Sequence, residues 1–294
     1  MPQTKVVIWL EAARLRTLPA AAAPVLIGSV MAAVAEAFSW LAAILAFAAA
    51  MLIQIGTNLH NDYADYNRGA DNANRVGPRR AAQTGLLTPA QLQRGTGIVF
   101  VAAAAVGVIA ASSGGWPILI VLAVSVSAAV AYTGGRKPLG YLGLGDPMSF
   151  IFFGPVATST TYYLHTGNVS IESIIAGIGP GLMATAILIV NNLRDIETDR
   201  ISGKRTLAVR WGASFARAEY VACVVLAAAA PAILGLATGR WTTALPLMTI
   251  VAASPWLLTV LRPSGPAELN HALSGTARTM LLHALLFCIG WSIA

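Results

Sequence analysis

Nine stretches of roughly 20 predominantly apolar residues, each close to the length that crosses a bilayer as a helix, govern what this chain can fold into. They cover about 18–35, 38–58, 95–112, 116–132, 148–164, 172–192, 216–237, 242–261 and 274–293. The runs are continuously apolar rather than alternating, which argues against the strands of a membrane barrel. It leaves helices, whose backbone groups pair within their own segment. Charged residues are only 11% of the 294, against about 25% in an ordinary soluble domain. That is too little polar surface to cover a water-soluble globule. The expectation is an all-α, polytopic membrane protein: one domain over residues 1–294, about nine transmembrane helices in one bundle, with a polar cap on the cytoplasmic side.

The basic residues orient this bundle. With the N-terminus in the cytoplasm, eighteen of the nineteen Lys and Arg fall on the cytoplasmic side and Arg240 alone falls outside. Such asymmetry is the positive-inside signal, and it also explains the net charge of +7 without nucleic acid as a partner. Ala35-Glu36-Ala37 imitates a signal-peptidase site, but the run before it exceeds the usual 7–15-residue signal core, so the first helix is read as uncleaved. Cys223 and Cys288 lie within apolar runs and have neither metal-site nor disulfide spacing.

Two cytoplasmic loops are long and polar, and long connections in a compact protein usually carry function. The first opens on Asn58, Asp62 and Asp65, which share a face if the second helix continues. The second opens on Asn191, Asp195 and Asp199, four residues apart and again on one face. Carboxylates gathered at one place repel unless a positive charge sits among them. Hard oxygen donors from two sides suit Mg²⁺, which binds through a few carboxylates and bridges to phosphate oxygens. Bases follow each cluster: Arg75, Arg79 and Arg80 after the first, Lys204 and Arg205 after the second. Carboxylates for a metal, with Lys and Arg for phosphate oxygens, make a diphosphate-binding composition. The glycines of the middle loop, 134–145, allow close backbone approach to a ligand, and Arg136 or Lys137 can add phosphate contacts. Alternatives to each reading remain. A charged loop can be merely solvated, the middle loop can be a tight turn with topological bases, and ion carriers also hold intramembrane acids.

At these residues the chain resembles the UbiA superfamily of intramembrane aromatic prenyltransferases. Asn61-Asp62-x-x-Asp65 and Asp195-x-x-x-Asp199 look like its two Asp-rich motifs. Arg75-Val76-Gly77-Pro78 and Asn191-Asn192-Leu193-Arg194-Asp195 resemble the branch that prenylates 1,4-dihydroxy-2-naphthoate in menaquinone synthesis. Arg14-Leu15-Arg16-Thr17-Leu18-Pro19, Tyr132-Thr133, Gly143-Leu144-Gly145-Asp146 and Leu269-Asn270 extend the similarity along the chain. Asn74 departs from it, since some relatives carry an acid there.

The resemblance implies Mg²⁺ on the catalytic carboxylates Asp62, Asp65, Asp195 and Asp199. It implies substrate contacts from Asn58, Asn61, Arg75, Tyr132, Arg136, Lys137, Asn191, Asn192 and Lys204. The substrates would be a polyprenyl diphosphate and the aromatic acid 1,4-dihydroxy-2-naphthoate, the products demethylmenaquinone, diphosphate and CO₂. The setting would be the bilayer of a bacterial cell (inner) membrane, crossed several times, with the active site facing the cytoplasm. Another acceptor, such as 4-hydroxybenzoate or homogentisate, or phosphoribosyl transfer, is the alternative within the superfamily.

Overall fold

The protein, a computed structural model, is described over residues 4–70 and 77–294. Those residues form helices joined by turns, without strands. Helix α1 (Lys5–Ala13) ends at Arg14, whose backbone is left-handed at φ 53°. A single 3₁₀ turn, Leu15–Thr17, leads into α2 (Pro19–Val34) across a bend of 56°. Pro19 at the first position starts α2 without sacrificing a hydrogen bond, since that N–H has no helical partner.

Helix α3 (Trp40–Asn67), apolar for most of its length and polar at its end, is started by the Ser39 hydroxyl accepting from the Ala42 N–H at 3.3 Å. It returns through α4 (Pro89–Gly114), whose start is fixed by a reciprocal Thr88–Gln91 capping box. Next come α5 (Trp116–Thr133), α6 (Gly145–Ile151) and α7 (Ala157–Thr166), then α8 (Ile171–Ala176) and α9 (Ile178–Arg194). The chain closes with α10 (Ile196–Ile201), α11 (Leu207–Thr238), α12 (Thr249–Leu261) and α13 (Pro266–Ser292). Helix α9 is the hub. Met183, Ala186, Ile189 and Val190 are almost fully buried, and α9 packs on α6, α11 and α13. Helices α3, α4 and α5 instead expose large apolar side chains such as Ile44, Phe47, Ile98, Val101 and Val124. An apolar surface of this extent is what a bilayer covers, and the protein is a multi-pass membrane protein.

Among the described residues seven helical segments are long and apolar enough to cross a membrane, or eight with the bent 5–34 pair. The difference from the expected nine lies at 148–164. There Gly154-Pro155 interrupts the run with a π turn, Phe152–Val156, so α6 and α7 are two short helices. Pro155 has no N–H to give to the helical ladder. Small residues let the backbone pass close to a neighbour at this break. A Cβ on Gly154 would stand 2.4 Å from the Gly177 oxygen, and one on Gly181 would stand 2.5 Å from the Phe150 oxygen.

This crossing predicts that Gly181→Leu is destabilising. The obstacle is backbone on α6, which cannot rotate away, so the cost is about 1–3 kcal/mol or more. Gly97→Ala, where a Cβ meets nothing within 4 Å, should leave the melting temperature in detergent unchanged or slightly higher. Equal melting temperatures for both variants would count against the crossing.

Candidate active site

Helix α3 carries a polar stripe at one end, and the junction of α9 with α10 brings a second acidic segment to the same end of the bundle. Asp62 and Asp65 are almost fully buried, at 1% and 6% exposure. An Asp62 oxygen accepts the Ala81 N–H at 3.0 Å, so the turn that follows residue 77 folds back over α3. Asp65 accepts the Tyr141 hydroxyl at 3.0 Å. Helix α9 stops at Arg194, yet the i to i+4 bonding survives: Asp195 donates its N–H to Asn191 and Asp199 donates to Asp195. Asn191, Asp195 and Asp199 therefore stay stacked, as their spacing predicts.

The second carboxylate segment is paired with cations. The Arg194 guanidinium grips Asp195 with both forks, at 2.8 and 2.6 Å, and reaches the side-chain oxygens of Asn191 and Asn270 at 2.7 Å each. The Lys204 ammonium stands 3.7 Å from Asp199. Its chain reverses at Gly203, φ 75°, and its own N–H closes on the Asp199 carbonyl at 2.8 Å. Burial, the largest single influence on Lys204, would depress its pKa. Asp199, Asp65, Tyr132 and Asp195 together outweigh burial and raise it above the ordinary lysine value. Lys204 is thus a fixed positive charge across the neutral range.

Tyr141 joins the parts. It bonds Asp65 from the middle loop, while the Arg68 and Lys204 cations lie 5.3 and 5.8 Å from its ring centre. Its backbone oxygen accepts the Arg205 N–H at 3.0 Å. Burial first, then the Asp65 charge and hydrogen bond, push the Tyr141 phenol well above the usual tyrosine range, so it remains a neutral donor. The glycines of this loop serve that packing: a Cβ on Gly143 would meet the Arg205 oxygen at 2.9 Å. Sequence reading treated the loop as a ligand contact and passed over Tyr141. Its signal was an aromatic hydroxyl flanked by glycines beside two acidic loops.

The site opens into a cavity of about 340 Å³. Its polar end includes Asn58, Asn61, Asp65, Tyr132, Asn191 and Lys204. Arg14 and Arg80 also line that end, and Thr17 and Gln54 line the wall below it. The other end is apolar and is closed by Leu45, Ala110, Ile118 and Leu164. Along α3 the lining runs from Asp65 to Leu45, 20 residues or about 30 Å of helix axis. Of the expected substrate residues, Asn192 is buried beside the cavity without lining it. Arg136 and Lys137 stay exposed on their turn and are not brought to the cavity. Arg75 lies outside the described residues.

Among the described residues no three acidic, His or Cys side chains meet as a ready-made metal cage. The donor set is nevertheless all hard oxygen. Mg²⁺ is generally held by one or two carboxylates plus substrate phosphates rather than by an all-protein cage, so the residues fit such an ion arriving with a diphosphate.

The UbiA prenyltransferase family profile matches residues 21–292. The chain belongs to this family. It is 35% identical to the 1,4-dihydroxy-2-naphthoate octaprenyltransferase of Haemophilus influenzae, over 99% of this chain and 97% of that one. It is 38% identical to the enzyme of the same name from Mycobacterium tuberculosis, over 94% of each chain. A UbiA homolog from Archaeoglobus fulgidus, solved bound to GPP and Mg²⁺, shares the fold with a TM-score of 0.64 at 13% identity, over 95% of this chain and 99% of that one.

The family site predicts a division of labour. Lys204→Ala should lower kcat/KM for a prenyl diphosphate about 10- to 100-fold, the worth of one charge-assisted contact of about 1.5–3 kcal/mol. The KM of the aromatic acceptor should stay within about twofold. Asp65→Ala and Asp199→Ala should each remove most turnover. Steady-state kinetics with each substrate varied separately decides. A Lys204→Ala defect confined to the acceptor would move Lys204 to the other substrate.

Proposed function

We propose that this chain transfers a polyprenyl group from its diphosphate to 1,4-dihydroxy-2-naphthoate, giving demethylmenaquinone in its reduced, aromatic diol form, diphosphate and CO₂. The observation that carries this reading is one cavity that joins a mouth of Asp65, Lys204, Arg14 and Arg80, with the other three aspartates buried nearby, to a long apolar interior. A molecule with a diphosphate head and a hydrocarbon tail matches both ends. The acceptor is taken from the names of the full-length relatives.

Asp62, Asp65, Asp195 and Asp199 would hold Mg²⁺ against the diphosphate. When bound, the ion supplies positive charge where the leaving group gains negative charge. Lys204 binds diphosphate oxygens alongside. As the allylic C–O bond breaks, the apolar walls keep water from the prenyl cation. The electron-rich ring carbon that bears the carboxylate attacks it and forms the new C–C bond. CO₂ then leaves without its bonding pair, which returns to the ring and restores aromaticity. Atoms and charge balance with diphosphate as the other product.

The bent 5–34 pair and the broken segment from 145 to 166 are taken as crossings beside the seven unbroken ones. The chain then spans a bacterial cell membrane nine times as one domain, with the aspartates facing the cytoplasm and the C-terminus facing outward. Cysteines introduced singly at Arg136 and at Ile293 should label from opposite sides of intact membranes. Labelling from the same side would remove one crossing.

The activity is tested with purified protein and one prenyl diphosphate, offered 1,4-dihydroxy-2-naphthoate, 4-hydroxybenzoate or homogentisate in separate reactions. Prenylated product with one CO₂ released per turnover is expected from the dihydroxynaphthoate. Faster turnover of 4-hydroxybenzoate would instead assign the chain to another branch of the family.

A further inference from the structure

Gln54 is an amide inside a membrane-spanning helix, only 7% exposed, on the cavity wall. Its surroundings fix which way the amide points. The Thr17 hydroxyl spends its one proton on the Arg14 carbonyl at 2.9 Å. Thr17 must therefore accept from its other two partners, the Gln54 amide nitrogen at 3.1 Å and the Asn58 amide nitrogen at 3.0 Å. The nitrogen of Gln54 is thereby committed, and its Oε1 is buried without a hydrogen-bond partner among the described residues. A buried acceptor left unmatched in a low-dielectric interior is destabilising, and a donor delivered by a ligand would relieve it.

The depth of Gln54 narrows the ligand. It lies eight residues below Asp62 on α3, or about 12 Å along the axis, past the level of a diphosphate held at the carboxylates. A prenyl chain offers hydrocarbon at that depth and has nothing to donate. The aromatic acceptor has hydroxyl donors. We infer that Gln54 is a specificity-determining residue that accepts a hydrogen bond from a ring hydroxyl of the acceptor, orienting the ring toward the prenyl C1. This rests on the acceptor class proposed above. Accepting from a phenolic O–H also leaves more electron density on the oxygen, which favours attack by the ring.

The test compares 1,4-dihydroxy-2-naphthoate with 1-hydroxy-2-naphthoate and 4-hydroxy-2-naphthoate, each lacking one hydroxyl, in the wild type, Gln54→Leu and Gln54→Met. The readout is the ratio of kcat/KM values within one preparation, which does not depend on how much of a variant is folded. The wild type should prefer the diol over one of the two analogues roughly tenfold or more, because the analogue leaves the Gln54 oxygen unmatched. Both variants should shrink that preference to about twofold while the KM of the prenyl diphosphate stays unchanged. If the wild-type preference persists in both variants, Gln54 does not read the hydroxyl, its oxygen being matched by a trapped water instead. If the wild type fails to prenylate the diol at all, the acceptor assignment falls, and this inference with it.

Discussion

Burying four like charges at one end of a helical bundle is the constraint from which the rest of the structure follows. Asp62, Asp65, Asp195 and Asp199 are each under a tenth exposed. Carboxylates so placed need charge and hydrogen bonds close by, or they would take up protons. The protein supplies both locally. Arg194 closes on Asp195 with two bonds, Lys204 stands against Asp199, a backbone N–H serves Asp62 and Tyr141 serves Asp65. The loops are ordered around this task. The reversal at Gly203 and the close pass of Gly143 beside Arg205 exist so that Lys204 and Tyr141 can reach their partners.

The same arrangement explains the position of the site in the membrane. A mouth of fixed charges at helix ends can sit at the water interface, where charge is cheap. The cavity below it is lined by Ala, Val, Ile, Leu and Phe over most of its length. Ends of opposite character match an amphiphile whose two halves cannot both be held in water. A substrate with a long hydrocarbon tail keeps that tail in an apolar medium throughout, and only its head moves toward the interface. The pressed crossing of α6 and the Phe152–Val156 turn on α9 is compatible with this, because it fixes that side of the cavity with backbone rather than with mobile side chains.

Much of this was legible in the sequence because it depends on period and type. The apolar runs announced a helical membrane protein, and the three- and four-residue spacing of Asn58, Asp62 and Asp65 and of Asn191, Asp195 and Asp199 announced two polar faces. The stacking of the second set across the α9–α10 junction follows that spacing. What escaped depended on three-dimensional approach. A run of apolar residues does not show that Gly154-Pro155 breaks it, since both are tolerated in membrane helices when neighbours compensate. Arg136 and Lys137 looked like phosphate ligands by composition, yet the turn carries them outward. Tyr141 and Arg194 were visible as letters, but their roles come from partners that are distant in sequence. Gln54 was within reach: it extends the Asn58–Asp62 stripe by one more turn, and an amide inside an apolar run is itself a signal.

The way the acids are satisfied bears on how the proposed site would assemble: Asp195 and Asp199 face cations, while Asp62 and Asp65 accept hydrogen bonds. Lys204 feels the charges of Asp199, Asp65 and Asp195, so one cation is shared between the two acidic segments. A divalent cation without the diphosphate would compete with Arg194 for Asp195 and with Lys204 for Asp199. A diphosphate arriving with the ion would offer its own oxygens to Lys204, leaving carboxylate oxygens that would hold the ion. The exchange then costs little charge separation at any stage. On that argument Arg194 and Lys204 would balance the acids in the resting site, and Lys204 would go on to bind the diphosphate in the proposed complex. Ordering the complete set of contacts waits on both substrates' charged parts being present. This favours a mouth that stays neutral and compact until the lipid diphosphate arrives, and keeps an unaccompanied prenyl cation from forming where water has access.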